Sequence, residues 1–430
     1  MGNVSQIIIY IMLLFMVIGV IDKVFFSNKW GYGAKFEEGM EAMGVLALAM
    51  VGIMCFAPVL GDWLKGPVGA VFGVIGADPA MFAGSLLAND MGGFPLAGAM
   101  TSDQGIHILS GLFMGCMMGA TIVFSIPVSL GIIDKEDRPF LARGMLAGFI
   151  SIPFGVFIAG VMYMISFNST AVGMADPLTV GKILINLVPS AVLAILMAVG
   201  LALIPNGMMK GFNVFAIFIS GAITLMLCLA ILNKLGLLLG SAGENGSSLV
   251  SWIPFVGAEG SQTDIQMAPI GPQLETAGII AITLAGAFPF VHFITTVLNK
   301  PVAALGRLMG VNENSAAGMI AALANNIPMF GTMKDMDKRG KVVAVAFSVC
   351  ASFALGDHLG YAAGVAPDAI FAMVVGKLCG GVIGIFVAIL LAVRGLEVIK
   401  GHRHGLPDDG SAGADLSIGA DAASEGQASV

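Results

Sequence analysis

Two short polar strings interrupt apolar sequence in the same manner: Asn89-Asp90, followed by Met91-Gly92-Gly93 and Pro95, and Asn325-Asn326, followed by Ile327-Pro328. Each Asn offers a carbonyl acceptor and an amide donor, and Asp90 adds a carboxylate. Where such strings break helices near the middle of a membrane, the opened ends expose backbone amides and carbonyls as further ligands. A site of this composition suits a small molecule with an ammonium and a hydroxyl. The competing reading is that these side chains only cap the helices they interrupt. A third string, Gly356-Asp357-His358, lies inside the apolar run from Val342 to Tyr361. A buried carboxylate beside an imidazole can bind a cation or relay a proton. Neighbours on one helix point about 100° apart, however, so the two need not meet, and structural pairing or a place near the outer end is the alternative. Acids also open two of the apolar segments: Glu37, Glu38 and Glu41 in one, and Glu275, with Gln273 beside it, in the other. Capping on dipole grounds accounts for most of these, and Glu275 is the one retained as a candidate binding residue. Asp103 and His107 are expected at the outer surface.

The sequence has no HExxH, GxSxG, Walker loop or His/Cys cluster. No catalytic residues, metal, cofactor or ATP-driven step are therefore expected. Cys55, Cys116, Cys228, Cys350 and Cys379 lie in apolar runs without CxxC or CxxH spacing and read as packing residues.

The elements that must hold these residues are membrane helices. The chain is 57% hydrophobic and 11% charged, against about 25% charged for a soluble domain. Its apolar stretches reach the roughly 20 residues that a helical crossing needs. They lie near 7–26, 40–61, 80–100, 106–132, 142–166, 180–204, 212–240, 276–298, 315–332, 342–361 and 368–393. The first lacks a basic n-region and a cleavage site, so it reads as a retained helix. Gly111, Gly115 and Gly119 give one segment a small-residue face for close helix approach. No basic patch points to nucleic acid, and of the net charge of −7, −4 belongs to residues 401–430, with five acids against Arg403. That Gly/Ala/Ser/Asp-rich tail is expected to be disordered and cytosolic.

Charge placement tests which segments cross. Basic clusters fall at Lys23/Lys29/Lys35, Lys135/Arg138/Arg143, Lys300/Arg307, Lys334/Lys338/Arg339/Lys341 and Arg394/Lys400/Arg403, while 167–181, 241–275 and 362–367 have no Lys or Arg. If both interrupted segments cross fully, no orientation fits. If both are re-entrant, the basic clusters fall inside and the Lys/Arg-free stretches outside, leaving Lys65 and Lys234 on the outer side. The expected fold is all-α and polytopic, with nine full crossings, two re-entrant or broken elements, N-terminus outside and C-terminus in the cytoplasm.

A weak duplication at an offset of 234 supports this arrangement. Gly44–Gly52 matches Gly278–Gly286, Pro67-Val68 matches Pro301-Val302, and Gly76-Ala77-Asp78 matches Gly310-Val311-Asn312. Leu87–Asp90 follows Leu323–Asn326 after a two-residue insertion, and Pro139 and Gly148 pair with Pro367 and Gly376. Re-entrance would invert one copy relative to the other, the pattern that points to a transporter's binding site. The organisation expected is a first helix and loop (1–38), a first repeat (39–166), linking helices and an extracellular loop (167–272), a second repeat (273–395) and the tail (396–430).

Several strings resemble the bacterial ethanolamine-utilisation membrane protein (EutH) family. They are Phe36–Gly39, Ala42–Gly52, Met81–Phe94, Thr121–Val128, Leu323–Gly331 and Phe353–Gly360, and the resemblance runs to about residue 395. It implies an ethanolamine permease of the inner membrane, importing the amine when little of the neutral form is left to diffuse. In that role Asp90, with Glu275 or Asp357, would pair with the ammonium, and Asn325 and Asn326 with the hydroxyl. The family pattern lacks an acid at 41 and often carries Cys at 89, which ranks Glu41 low and makes Asp90 firmer than Asn89. The partners implied are ethanolamine and the lipid bilayer, with a homo-oligomer left open. A channel for small amines or ammonia, and a membrane sensor or scaffold of the same pathway, are the alternatives.

Overall fold

The computed structural model describes residues 2–170, 177–238 and 267–393. The acidic tail, the Arg394/Lys400/Arg403 cluster and most of the Lys/Arg-free stretch 241–275 lie outside the described residues. Within them the protein is all-α, because a backbone in lipid must satisfy its own amides and carbonyls. The helices are α1 (Gly2–Phe26), α2 (Tyr32–Ile75), α3 (Met81–Leu86), α4 (Gly93–Met100), α5 (Gln104–Ile132), α6 (Arg138–Thr170) and α7 (Val180–Leu203). They continue with α8 (Pro205–Leu238), α9 (Ile270–Met309), α10 (Glu313–Ala324), α11 (Asn326–Gly331), α12 (Lys338–Ala351), α13 (Asp357–Val365) and α14 (Ile370–Val387). Eight of these, α1, α2, α5 to α9 and α14, are long and apolar enough to cross a membrane.

Burial ranks them. The most apolar stretch of α5 is 94% buried and that of α1 only 17%, so α5 runs through the centre while α1 faces lipid. The glycine face of α5 is what lets the first interrupted segment in. A Cβ on Gly119 would lie 1.9 Å from the Leu87 carbonyl oxygen, one on Gly115 3.0 Å from the Asn89 nitrogen, and one on Gly111 2.8 Å from the Phe94 Cα. The α3–α4 break therefore lies backbone-to-backbone on α5.

Both interrupted segments are broken helices, as the sequence leads one to expect. Leu87 and Ala88 are extended between α3 and the single turn Asn89–Met91, and Asn325 is extended between α10 and α11. The matched positions share local structure. Gly76 and Gly310 both take a left-handed backbone, φ +73° and +69°. Asp78 then accepts from the Ala80 N–H at 2.8 Å, and Asn312 from the Ser315 N–H at 2.9 Å. The corresponding long helices lie side by side and run in opposite directions. Gly31 of the turn before α2 sits by His292 and Gly39 by Ala285 of α9, while Ser151 and Ala159 of α6 sit by Gly384 and Gly376 of α14.

Three features differ from the sequence reading. Segment 342–361 is not one helix: α12 ends at Ala351 and α13 begins at Asp357. That accounts for eight long helices where nine crossings were expected. The cause is tertiary: the carbonyls of Ala322 and Leu323, freed by the α10–α11 break, accept from the N–H groups of Phe353 and Leu355 at 2.9 Å each. Those amides are thereby drawn out of any continuous helix. Second, the helix holding the apolar segment 40–61 is much longer than that segment, running from Tyr32 through Pro67 to Ile75. Third, α2 begins at Tyr32 and α9 at Ile270, so Glu37, Glu38, Glu41 and Glu275 lie beyond the first turn and do not cap. Glu37 instead pairs with Lys23, and Glu38 with Lys35 at 2.6 Å.

Candidate functional site

Two of the breaks bring carboxylates together. Asp90 sits on the turn between α3 and α4, and Asp357 is the first residue of α13, where the helix dipole favours an anion. Both line a chamber of about 30 Å³ together with Ala88, Ala120, Phe124, Phe353 and His358. The rings of Phe124 and Phe353 meet edge to face at 5.6 Å and 81°, and His358 lies 4.9 Å from Phe353. Phe353 holds φ +62°, a left-handed conformation that a bulky residue rarely adopts. The two bonds from the 352–356 linker to α10 hold it there and turn its ring onto the chamber.

Asp357 also lines a second, larger space of about 540 Å³, a vestibule bordered by Lys35, Glu38, His292, Thr296, Asn325 and Pro328 among others. It is therefore the residue shared by chamber and vestibule. Asn325 approaches it, with Nδ2 donating to Asp357 Oδ2 at 3.5 Å, while its own Oδ1 caps α11 by accepting from the Ile327 N–H at 2.9 Å. Asn326 donates from Nδ2 to Ser125 Oγ at 2.7 Å and leaves Oδ1 buried without a partner. Asn89 is fully buried with neither side-chain polar atom paired, and the same holds for His358 Nδ1 and the Tyr361 hydroxyl. Unpaired buried groups of this kind are expensive in a closed protein interior.

Of the residues singled out by sequence, the structure brings Asp90, Asp357 and His358 to one chamber and Asn325 to its edge. Asn89 lies behind Asp90 against α5, and Asn326 points to Ser125. Glu275 is exposed near the start of α9 and lines neither space. It stands roughly 25 Å along the helix from His292, at 1.5 Å per residue. Asp103 and His107 are otherwise engaged: Asp103 caps α5 and pairs with Lys182, and His107 Nε2 lies 2.9 Å from the Phe94 carbonyl oxygen. The sequence reading missed Phe124 and Phe353, and it missed Lys377, fully buried on α14 with Nζ donating to the Cys116 carbonyl at 2.6 Å. A lone Lys in the run 368–393 was the available signal.

Two carboxylates and two aromatic rings lining one small space are chemically suited to a small organic cation, because a carboxylate pairs with an ammonium and a ring face attracts it.

No solved structure matches the chain. Two curated proteins named "Probable ethanolamine permease EutH" are similar along almost their whole length. That of Listeria monocytogenes is 48% identical over 401 residues, covering 93% of this chain and 97% of that protein. That of Salmonella typhimurium is 45% identical over 407 residues, covering 91% and 96%. The family described as "Ethanolamine utilisation protein, EutH" matches residues 4–391. With both broken-helix segments and the whole chamber inside that match, the chain belongs to the EutH family.

Proposed function

We propose that the protein is a permease, not an enzyme, that carries ethanolamine in its protonated form across the bacterial inner membrane for catabolism. The observation that carries this reading is Asp357, shared by a buried chamber holding a second carboxylate and by a vestibule open to one side. The names of the relatives supply the substrate. The ammonium would lie between Asp90 and Asp357 against the faces of Phe124 and Phe353. His358 Nδ1, which belongs to a chamber residue and is buried without a partner among the described residues, is left to take the hydroxyl. A chamber of about 30 Å³ admits about two waters, less than the heavy atoms of ethanolamine occupy, so binding the whole molecule requires the chamber to widen.

Alternating access fits the same geometry. The vestibule carries Lys35, on the side that the charge map assigns to the cytoplasm. On the opposite side α3 and its flanks are strapped to α7. The Asp78 N–H donates to Asn186 Oδ1 at 2.7 Å, Ser85 and Ser190 share a 2.9 Å hydroxyl contact, and Lys182 pairs with Asp103. We read this as a state open inward and closed outward, with N-terminus outside and C-terminus inside. The left-handed Gly76 and Gly310 and the antiparallel α2/α9 and α6/α14 pairs support an inverted duplication.

The test is uptake of labelled ethanolamine into liposomes holding only this protein, mildly acidic outside and neutral inside. Saturable uptake competed by unlabelled ethanolamine is expected. Non-saturating flux would indicate a channel instead, and no uptake by folded protein would indicate a sensor or scaffold.

A further inference from the structure

Lys377 has no exposed surface, and its Nζ donates to the Cys116 carbonyl with the Cys116 thiol beside it. An ammonium carries three donors, and among the described residues no carboxylate lies within ion-pairing contact of this one. The other buried lysine, Lys341, differs in pairing directly with Asp137. A cation at that depth is retained only where opposite charge balances it. Its position identifies the source of that charge. Cys116 follows Gly115 on α5, and the Asn89 nitrogen and Cα pack at 3.0 and 3.2 Å from where a Gly115 Cβ would stand. Lys377 is therefore held one residue along α5 from the point where the Asn89–Asp90 turn packs.

We propose that Lys377 is a resident counter-ion for Asp90, so that the chamber presents the net charge of one carboxylate and takes one monovalent cation. This inference rests on the permease reading and extends it to how the site empties. Two uncompensated carboxylates would bind an ammonium tightly and release it slowly. One carboxylate, with the second balanced from behind, binds and releases, and it lets the empty protein reorient without a stranded pair of charges. Lys377 touches no substrate in this scheme, so it is a positioning residue acting through Asp90.

The test is a charge-balance cycle on the full-length protein in liposomes and in detergent. Lys377→Met is expected to lower KM about tenfold and to lower kcat by at least as much, the size of a typical coupling between two sites. Asp90→Asn leaves Lys377 unbalanced and raises KM. The double variant Asp90→Asn/Lys377→Met restores the wild-type net charge but not Asp90's own contact with the ammonium, so its KM should fall below that of Asp90→Asn and its kcat rise above that of Lys377→Met, without either constant regaining the wild-type value. A double variant no better than the worse single variant overturns the proposal. Wild-type uptake, measured alongside, tests the permease reading separately. If it is absent, the melting temperatures of the same four proteins still decide the pairing: recovery in the double variant supports it, and additive loss overturns it. Should Lys377→Met fail to accumulate, accumulation of the double variant supports the pairing and its failure to accumulate overturns it.

Discussion

Asp90 and Asp357 reach one chamber from separate elements, a turn between α3 and α4 and the first residue of α13. The sequence made both visible, because carboxylates inside apolar runs are rare and stand out. It hid the rings beside them: Phe124 and Phe353 sit in apolar strings where a core phenylalanine looks the same. Only the left-handed backbone of Phe353, fixed by bonds to another helix, turns its ring into a wall. Charge-assisted contacts contribute about 1.5–3 kcal/mol, so Asp90→Asn is expected to raise the KM for ethanolamine about ten- to a hundredfold. The uptake defect should exceed any loss of folded yield, and concentration-dependent uptake checks this. Wild-type affinity would remove Asp90 from the site.

At the scale of elements, the breaks at Asn89 and Asn325 were legible because Asn, Gly and Pro punctuate the apolar runs. The break at 352–356 was not, since only Gly356 marks it and its cause is hydrogen bonding to α10. The glycine face of α5 was legible as a packing surface, but its partner, the extended backbone at Leu87 and Ala88, was not. A methyl at Gly119 would strike the Leu87 carbonyl oxygen at 1.9 Å, whereas one at Gly66 on α2 meets nothing within 4 Å. Gly119→Ala should therefore destabilise by about 1–3 kcal/mol or more, as overpacking does, and Gly66→Ala should not. Thermal unfolding in detergent separates the two. Equal melting temperatures would mean that α5 and the α3–α4 break are not in backbone contact.

At the scale of the molecule, the charge map left out Lys182, which pairs with Asp103 on the side assigned as outer. The single-sided opening of the vestibule was beyond sequence, because it depends on which of two similar ends is strapped to α7. Thr296 borders that vestibule. In a protein lacking its five native cysteines, Thr296→Cys should react with an impermeant thiol reagent in inside-out vesicles and not in right-side-out ones, and ethanolamine should slow the reaction. Labelling only from outside would reverse the assigned orientation.

The bonds from Phe353 and Leu355 to the open end of α10 constrain motion as well as shape. Sliding the 352–356 linker past α10 would strand two amides and two carbonyls in a dry interior, so these broken helices travel together as crossed struts pinned at their joint. Asp357 and the ring of Phe353 are fixed to that joint, which makes the far wall of the chamber a rigid body. The seam between α3 and α7 is of another kind, since each of its bonds depends on one side chain of α7, Asn186, Ser190 or Lys182, and under the proposed alternating access it is the boundary that would open.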